Sequence, residues 1–137
     1  MIGILIVSHG AFGEALIHCA SHVLGKRPLR VRQVGITVHD DPDAMLAQAQ
    51  DLVHQLDDGD GVLVFTDILG ATPSNIASRL LKAGKIEGVS GVSLPMLIRA
   101  LTYRDEPLAA VLSKAMSAAH ECTVHIECEN RDATSGS

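Results

Sequence analysis

The sequence predicts an α/β fold: an open, mostly parallel sheet in the order 2-1-3-4, with helices on both faces and a C-terminal edge strand. Three observations predict it. Short apolar runs, IGILIV at 2–7 and VLVFT at 62–66, have the length of strands buried on both faces. They alternate with segments whose apolar residues recur every three or four positions, the signature of β-α-β units. The apolar share of 47% in 137 residues is ample for one core, and two Phe, one Tyr and no Trp make that core aliphatic.

Element by element, residues 2–7 form the first strand, and Ser8, His9 and Gly10 follow it. A helix spans 11–24 with Ala15, Leu16, Cys19, Ala20 and Val23 on its apolar stripe, and Gly25 stops it. The second strand is 31–38. Asp41 caps the next helix and Pro42 opens it, the helix body running over 44–56 to a turn-rich loop at 57–61. The third strand, 62–66, leads into a loop at 67–73 and a helix at 74–83 whose inner face is Ile76, Ala77, Leu80 and Leu81. A weaker fourth strand covers 88–93. Pro95 starts a helix through 102 and Pro107 another through 119. Residues 122–128 read as a last short strand. The domain is thus 1–128, followed by a polar tail at 129–137.

Composition excludes several classes. The net charge is −5 and no basic stripe is present, so nucleic acid is not an expected partner. The apolar runs are too short to span a bilayer, and no positively charged segment precedes the first one; the cytoplasm is the expected compartment. Three cysteines without a C-x-x-C motif are expected to be reduced thiols.

In open parallel sheets, ligands bind beyond the carboxyl ends of the strands, where the strand order reverses. His9 lies just past the first strand and Asp67 just past the third. In the 2-1-3-4 order those strands are neighbours about 5 Å apart, so the two side chains can meet. A carboxylate on one ring nitrogen fixes the tautomer and leaves the other as a nucleophilic lone pair. Position alone leaves it equally open that His9 is a surface-loop histidine and Asp67 a turn residue. The segment Gly70-Ala71-Thr72-Pro73 tips the balance: Thr72 is a candidate N-cap, Pro73 a good first helical residue, and Gly70 permits close backbone approach. A helix N-terminus there offers unpaired N–H groups to an anion.

At these residues the sequence resembles the IIA components of the mannose family of the bacterial sugar phosphotransferase system. The matching pieces are ILIVSHGAFGEAL at 4–16, GVLVFTDILGATPSNIASRL at 61–80 and GVSLPMLIRAL at 91–101. The resemblance implies phosphorylation of His9 on Nε2, with Asp67 bonding the other ring nitrogen. It implies that Thr72 contacts the phosphoryl group, that Gly70 and Ala71 form a small-residue loop, and that Pro95 and Met96 belong to a loop near the site. It further implies phosphorylated HPr as donor, a separate IIB protein as acceptor, contact with the membrane only through the permease complex, and a homodimer exchanging a C-terminal strand. No metal or organic cofactor is required. An acidic surface would favour a donor with a basic contact face.

Other features have ordinary readings. His18 and His22 share a helix face but lack a third ligand. Cys122 and Cys128 point opposite to His125 on a strand, so the three do not share one metal. Cys19 is expected to be a buried thiol on the apolar stripe. Arg99 and Arg104 could steer a phosphoryl group or a donor but are expected to be solvated surface charges, Arg99 keeping a minor chance of a site role, and Ser8 supports the loop. Two competing functions stand beside the carrier. One is a regulatory module signalling by its phosphorylation state. The other is a tetrapyrrole metal chelatase, which would need a second histidine where Asp67 and Thr72 stand.

Overall fold

The computed structural model describes residues 1–129. In chain order the elements are β1 (Gly3–His9), α1 (Phe12–Leu24), β2 (Val31–Ile36), α2 (Pro42–Leu56), β3 (Val62–Thr66), α3 (Thr72–Ser78), β4 (Ile86–Val89), α4 (Leu94–Thr102) and α5 (Leu108–Glu121). The sheet is parallel throughout, in the order β2-β1-β3-β4. That is the order read from the sequence.

The alternation of strand side chains explains the two layers. Ile2, Ile4, Ile6, Leu63 and Phe65 project to one face, where Ile17, Leu97, Val111 and Ala115 of α1, α4 and α5 cover them. Leu5, Val7, Val62 and Val64 project to the other, against Leu52 and Leu56 of α2, Ile76 of α3 and Leu80 just beyond it. Strands buried on both faces have no polar alternation, which is why they read as continuous apolar runs. His9 shares parity with Leu5 and Val7, so it stands on the face where α2 and α3 begin.

Several boundaries differ from the sequence reading, each for a local reason. His9 is the last residue of β1, in register with Ile36, rather than the first residue beyond the strand. β2 ends at Ile36, and Val38 is exposed. β4 is shifted toward the N-terminus from the expected 88–93, because Lys82 and Ile86 exchange backbone bonds of 3.0 and 2.8 Å that start the strand there. α3 is shorter than expected; after Ser78 the chain continues with i→i−3 bonds from Arg79 and Leu80, and Leu81 is exposed. In α1 the buried face is Gly13, Ile17 and Ala20, so the expected stripe is turned: Ala15, Cys19 and Val23 are exposed, and Cys19 is no buried thiol.

The C-terminal strand is the largest correction. Residues 123–128 carry no regular secondary structure and are exposed, with Val124 at 70% and Ile126 at 91%. Within this chain they form no ladder with any of the four described strands. The polar tail expected at 129–137 lies, from residue 130 on, outside the described residues. Asp41 and Pro42 behave as read, Asp41 accepting a bond from Asp43 N at 3.4 Å.

Candidate functional site

The site is built where β1 and β3 end side by side. Val7 pairs with Thr66, so His9 and Asp67 emerge from neighbouring strands at the carboxyl edge. Asp67 Oδ2 accepts the backbone N–H of His9 at 2.9 Å and lies 2.8 Å from its Nδ1. Oδ1 accepts the Ile68 N–H at 2.9 Å. The side chain of Asp67 is 14% exposed, that of His9 51%. Burial pushes the Asp67 carboxyl upward, but bonds from the His9 backbone, the His9 ring and the Ile68 backbone outweigh it, and the group titrates below its ordinary value. An ionised carboxylate only accepts, so Nδ1 carries a proton, and in the neutral ring Nε2 holds the lone pair.

The turn after His9 depends on two glycines. Gly10 has φ +51 and donates its N–H to Ile36 O at 2.9 Å. A Cβ on Gly35 would lie 2.1 Å from Gly10 O, so the β2 backbone must be bare at that point. Ser8 is fully buried on the opposite face: a Cβ added to Gly13 of α1 would sit 3.0 Å from its Oγ. Ser8 therefore belongs under α1 rather than beside the imidazole.

The loop after β3 also departs from the sequence reading. Ala71, not Thr72, is the N-cap of α3; Thr72 is the first helical residue and Pro73 the second. The capping is done from inside the helix. Ser74 Oγ accepts from Gly70 N at 2.9 Å and Ala71 N at 3.2 Å, and donates to Ala71 O at 2.9 Å. The amides of Gly70 and Ala71 are therefore engaged, while Thr72 is exposed at the helix entry. Pro95 and Met96 lie in the first turn of α4 rather than in a loop, with Ser93 as cap, and Met96 is buried in the core on the α1 side.

Neither arginine raised by the sequence is at the site. Arg99 pairs with Glu121 at 2.6 Å. Arg104 is buried at the amino edge, donating to carbonyls of Ile2, Leu29 and Arg30. Two residues were missed: Gly35, signalled by a lone glycine inside a strand run, and Ser74, hidden because a serine three residues into a helix has no special sequence signature. Exposed Phe12, Ile68 and Leu69 flank the pair in sequence, an apolar border suited to a macromolecule.

The site is thus an open parallel sheet carrying a carboxylate-oriented imidazole at its switch point. Comparison with known proteins gives the family. A model described as the fructose IIA component of the phosphotransferase system, the mannose-type EIIA family, matches residues 3–117. The chain belongs to this family. It is 30% identical over 106 residues to the mannose-specific EIIAB component of Escherichia coli strain K12, a match covering 77% of this chain and 32% of that protein. The chain thus spans about a third of the length of that relative. A phosphotransferase-system EIIA from Streptococcus agalactiae superposes with a TM-score of 0.81 at 29% identity, covering 91% of this chain and 97% of that one. The mannose/sorbose-specific IIA subunit of Enterococcus faecalis has a TM-score of 0.82 at 19% identity over 93% and 96% of the two chains, which speaks for the fold. No described helix is long and apolar enough to cross a membrane.

Proposed function

We propose that this chain is a phosphohistidine carrier in sugar uptake, taking a phosphoryl group from phosphorylated HPr onto Nε2 of His9 and passing it to a IIB protein. The observation that carries the reading is the 2.8 Å approach of His9 Nδ1 to Asp67, which aims the other ring nitrogen away from the carboxylate. The Nε2 lone pair forms the new P–N bond as the donor's P–N bond breaks, and the donor ring keeps the released electron pair. The Nδ1 proton stays on the Asp67 side throughout. Little acid–base chemistry is needed; in-line positioning and charge neutralisation do most of the catalysis.

Thr72 is the first contact for the phosphoryl oxygens, at the entry of α3. Gly70 and Ala71 join it by exchanging Ser74 Oγ for a phosphoryl oxygen. Gly10 and Pro73 hold the two loops. The protein works in the cytoplasm and meets the membrane only through its permease. A homodimer completes the reading: exposed Val124 and Ile126 alternate along 122–128 as a strand's side chains would, and β4 presents an outer edge to a second copy.

The test is phosphorylation from phosphoenolpyruvate with enzyme I and HPr. One acid-labile, base-stable phosphate is expected, absent from His9→Ala. Undiminished labelling of that variant would reject the site.

A further inference from the structure

Among the described residues the acidic chain carries a basic cavity, at the edge of the sheet opposite His9. It has a volume of about 510 Å³ and lies between the end of α2, the end of α3 and the start of β4. In a parallel sheet the start of β4 is at the edge opposite the carboxyl end of β1. Arg79, Lys82 and Lys85 line it, and none of the three is ion-paired with a described residue. By contrast Arg27, Arg30, Arg99 and Lys114 each face a carboxylate.

The lysines do not wander at their base. Besides the Lys82–Ile86 exchange, Lys85 N donates to Lys82 O at 2.9 Å, and Val62 N of β3 donates to Lys85 O at 3.0 Å. This turn anchors both stems to the sheet. Like charges held together repel, and an anion between them relieves the repulsion. The rest of the lining fits a second kind of group. Val53, Leu80 and Ile86 give an apolar floor. Gln50 offers an amide, and Asp57, whose Oδ1 is taken by Gly59 N and Gly61 N, has Oδ2 left to accept from a hydroxyl. No Phe, Tyr or Trp lines the cavity, and the imidazole of His54 is the one aromatic ring in its lining. The volume falls within the roughly 300–1,000 Å³ of small-molecule sites.

We propose that this cavity binds a small phosphorylated, hydroxyl-bearing molecule, a sugar phosphate by class, with its phosphate between Arg79, Lys82 and Lys85 and its hydroxyls toward Asp57 and Gln50. The site is independent of the carrier reading.

The experiment is calorimetric titration of the full chain with glucose 6-phosphate, fructose 1-phosphate, inorganic phosphate, glucose and ADP, at about 150 mM salt, where the screening length is about 8 Å. A sugar phosphate should bind at least about tenfold more tightly than inorganic phosphate, since the cations then act together with the hydroxyl partners. Amide NMR shifts should concentrate at 50–57 and 79–86. Lys82→Gln with Lys85→Gln should weaken binding about tenfold or more, whereas Lys26→Gln should not. His9→Ala should bind normally, so a failed carrier assignment leaves this result standing. Equal binding of inorganic phosphate, tighter binding of ADP, no binding of either sugar phosphate, or shifts clustering at His9 would each overturn the proposal.

Discussion

His9 places two donors on one oxygen of Asp67: its backbone N–H at 2.9 Å and its ring Nδ1 at 2.8 Å both meet Oδ2. The strand end and the ring are therefore fixed by one carboxylate. Removing it frees the imidazole to rotate and change tautomer. Asp67→Ala should slow phosphorylation of His9 by about 10- to 100-fold, the usual range when the partner orienting a functional histidine is lost. The initial rate of labelling from phosphorylated HPr measures this, with circular dichroism confirming the fold. A rate equal to wild type would remove Asp67 from the mechanism.

The same carboxylate gives a pH signature. Its folded-state titration lies below the ordinary 3.8, burial opposing and the His9 and Ile68 bonds prevailing. A depressed acid contributes stability that is complete above its unfolded value and is lost as the pH falls through its folded value. The stability difference between wild type and Asp67→Asn should therefore shrink as the pH falls below about 4. Urea midpoints measured from neutral to strongly acidic pH follow this directly. A difference that grows as the pH falls below about 4 would contradict the assignment.

Gly35 supports the site without touching the imidazole. Its added Cβ would overlap Gly10 O at 2.1 Å, and backbone on backbone has no flexible side chain to yield. Gly35→Ala should cost about 1–3 kcal/mol of stability, as overpacking does. It should also shift the amide resonances of His9 and Gly10 and lower the labelling rate. A variant with wild-type denaturation and spectra would show that the turn has slack.

The parts of this protein legible in its sequence share one physical origin. Fully buried parallel strands and glycine or proline stops leave signals within a few residues of one another, so the 2-1-3-4 sheet, the Asp41-Pro42 helix entry and the meeting of His9 with Asp67 could be read. What failed depends on contacts distant in sequence. The rotation of α1 is set by Gly13 lying over Ser8 and Gln33, which no periodicity within α1 encodes. Ser74 caps backward onto Gly70 and Ala71, so the hydroxyl that fixes the loop sat inside the helix rather than at the expected Thr72. Residues 122–128 have the composition of a strand but no ladder in their own chain, and periodicity cannot say whose edge a strand joins.

Arg104 separates stability from function. It is 7% exposed, and burial lowers its affinity for the proton. Its guanidinium donates to Ile2 O at 2.7 and 3.2 Å, to Leu29 O at 2.6 Å and to Arg30 O at 3.1 Å. These carbonyls close the chain just before β1 and β2, so one planar fork stitches the amino edge of the sheet. A lysine has a point charge and no fork, and would leave at least one carbonyl unpaired. Arg104→Lys should lose about 1–3 kcal/mol, and Arg104→Met about the same or more, since buried acceptors lose their donors. The site is at the other edge of the sheet, so phosphorylation per folded molecule should match wild type at a temperature where both variants are native. Chemical denaturation and labelling of the same samples separate the two effects. A labelling defect without loss of stability would mean that Arg104 acts on the site after all.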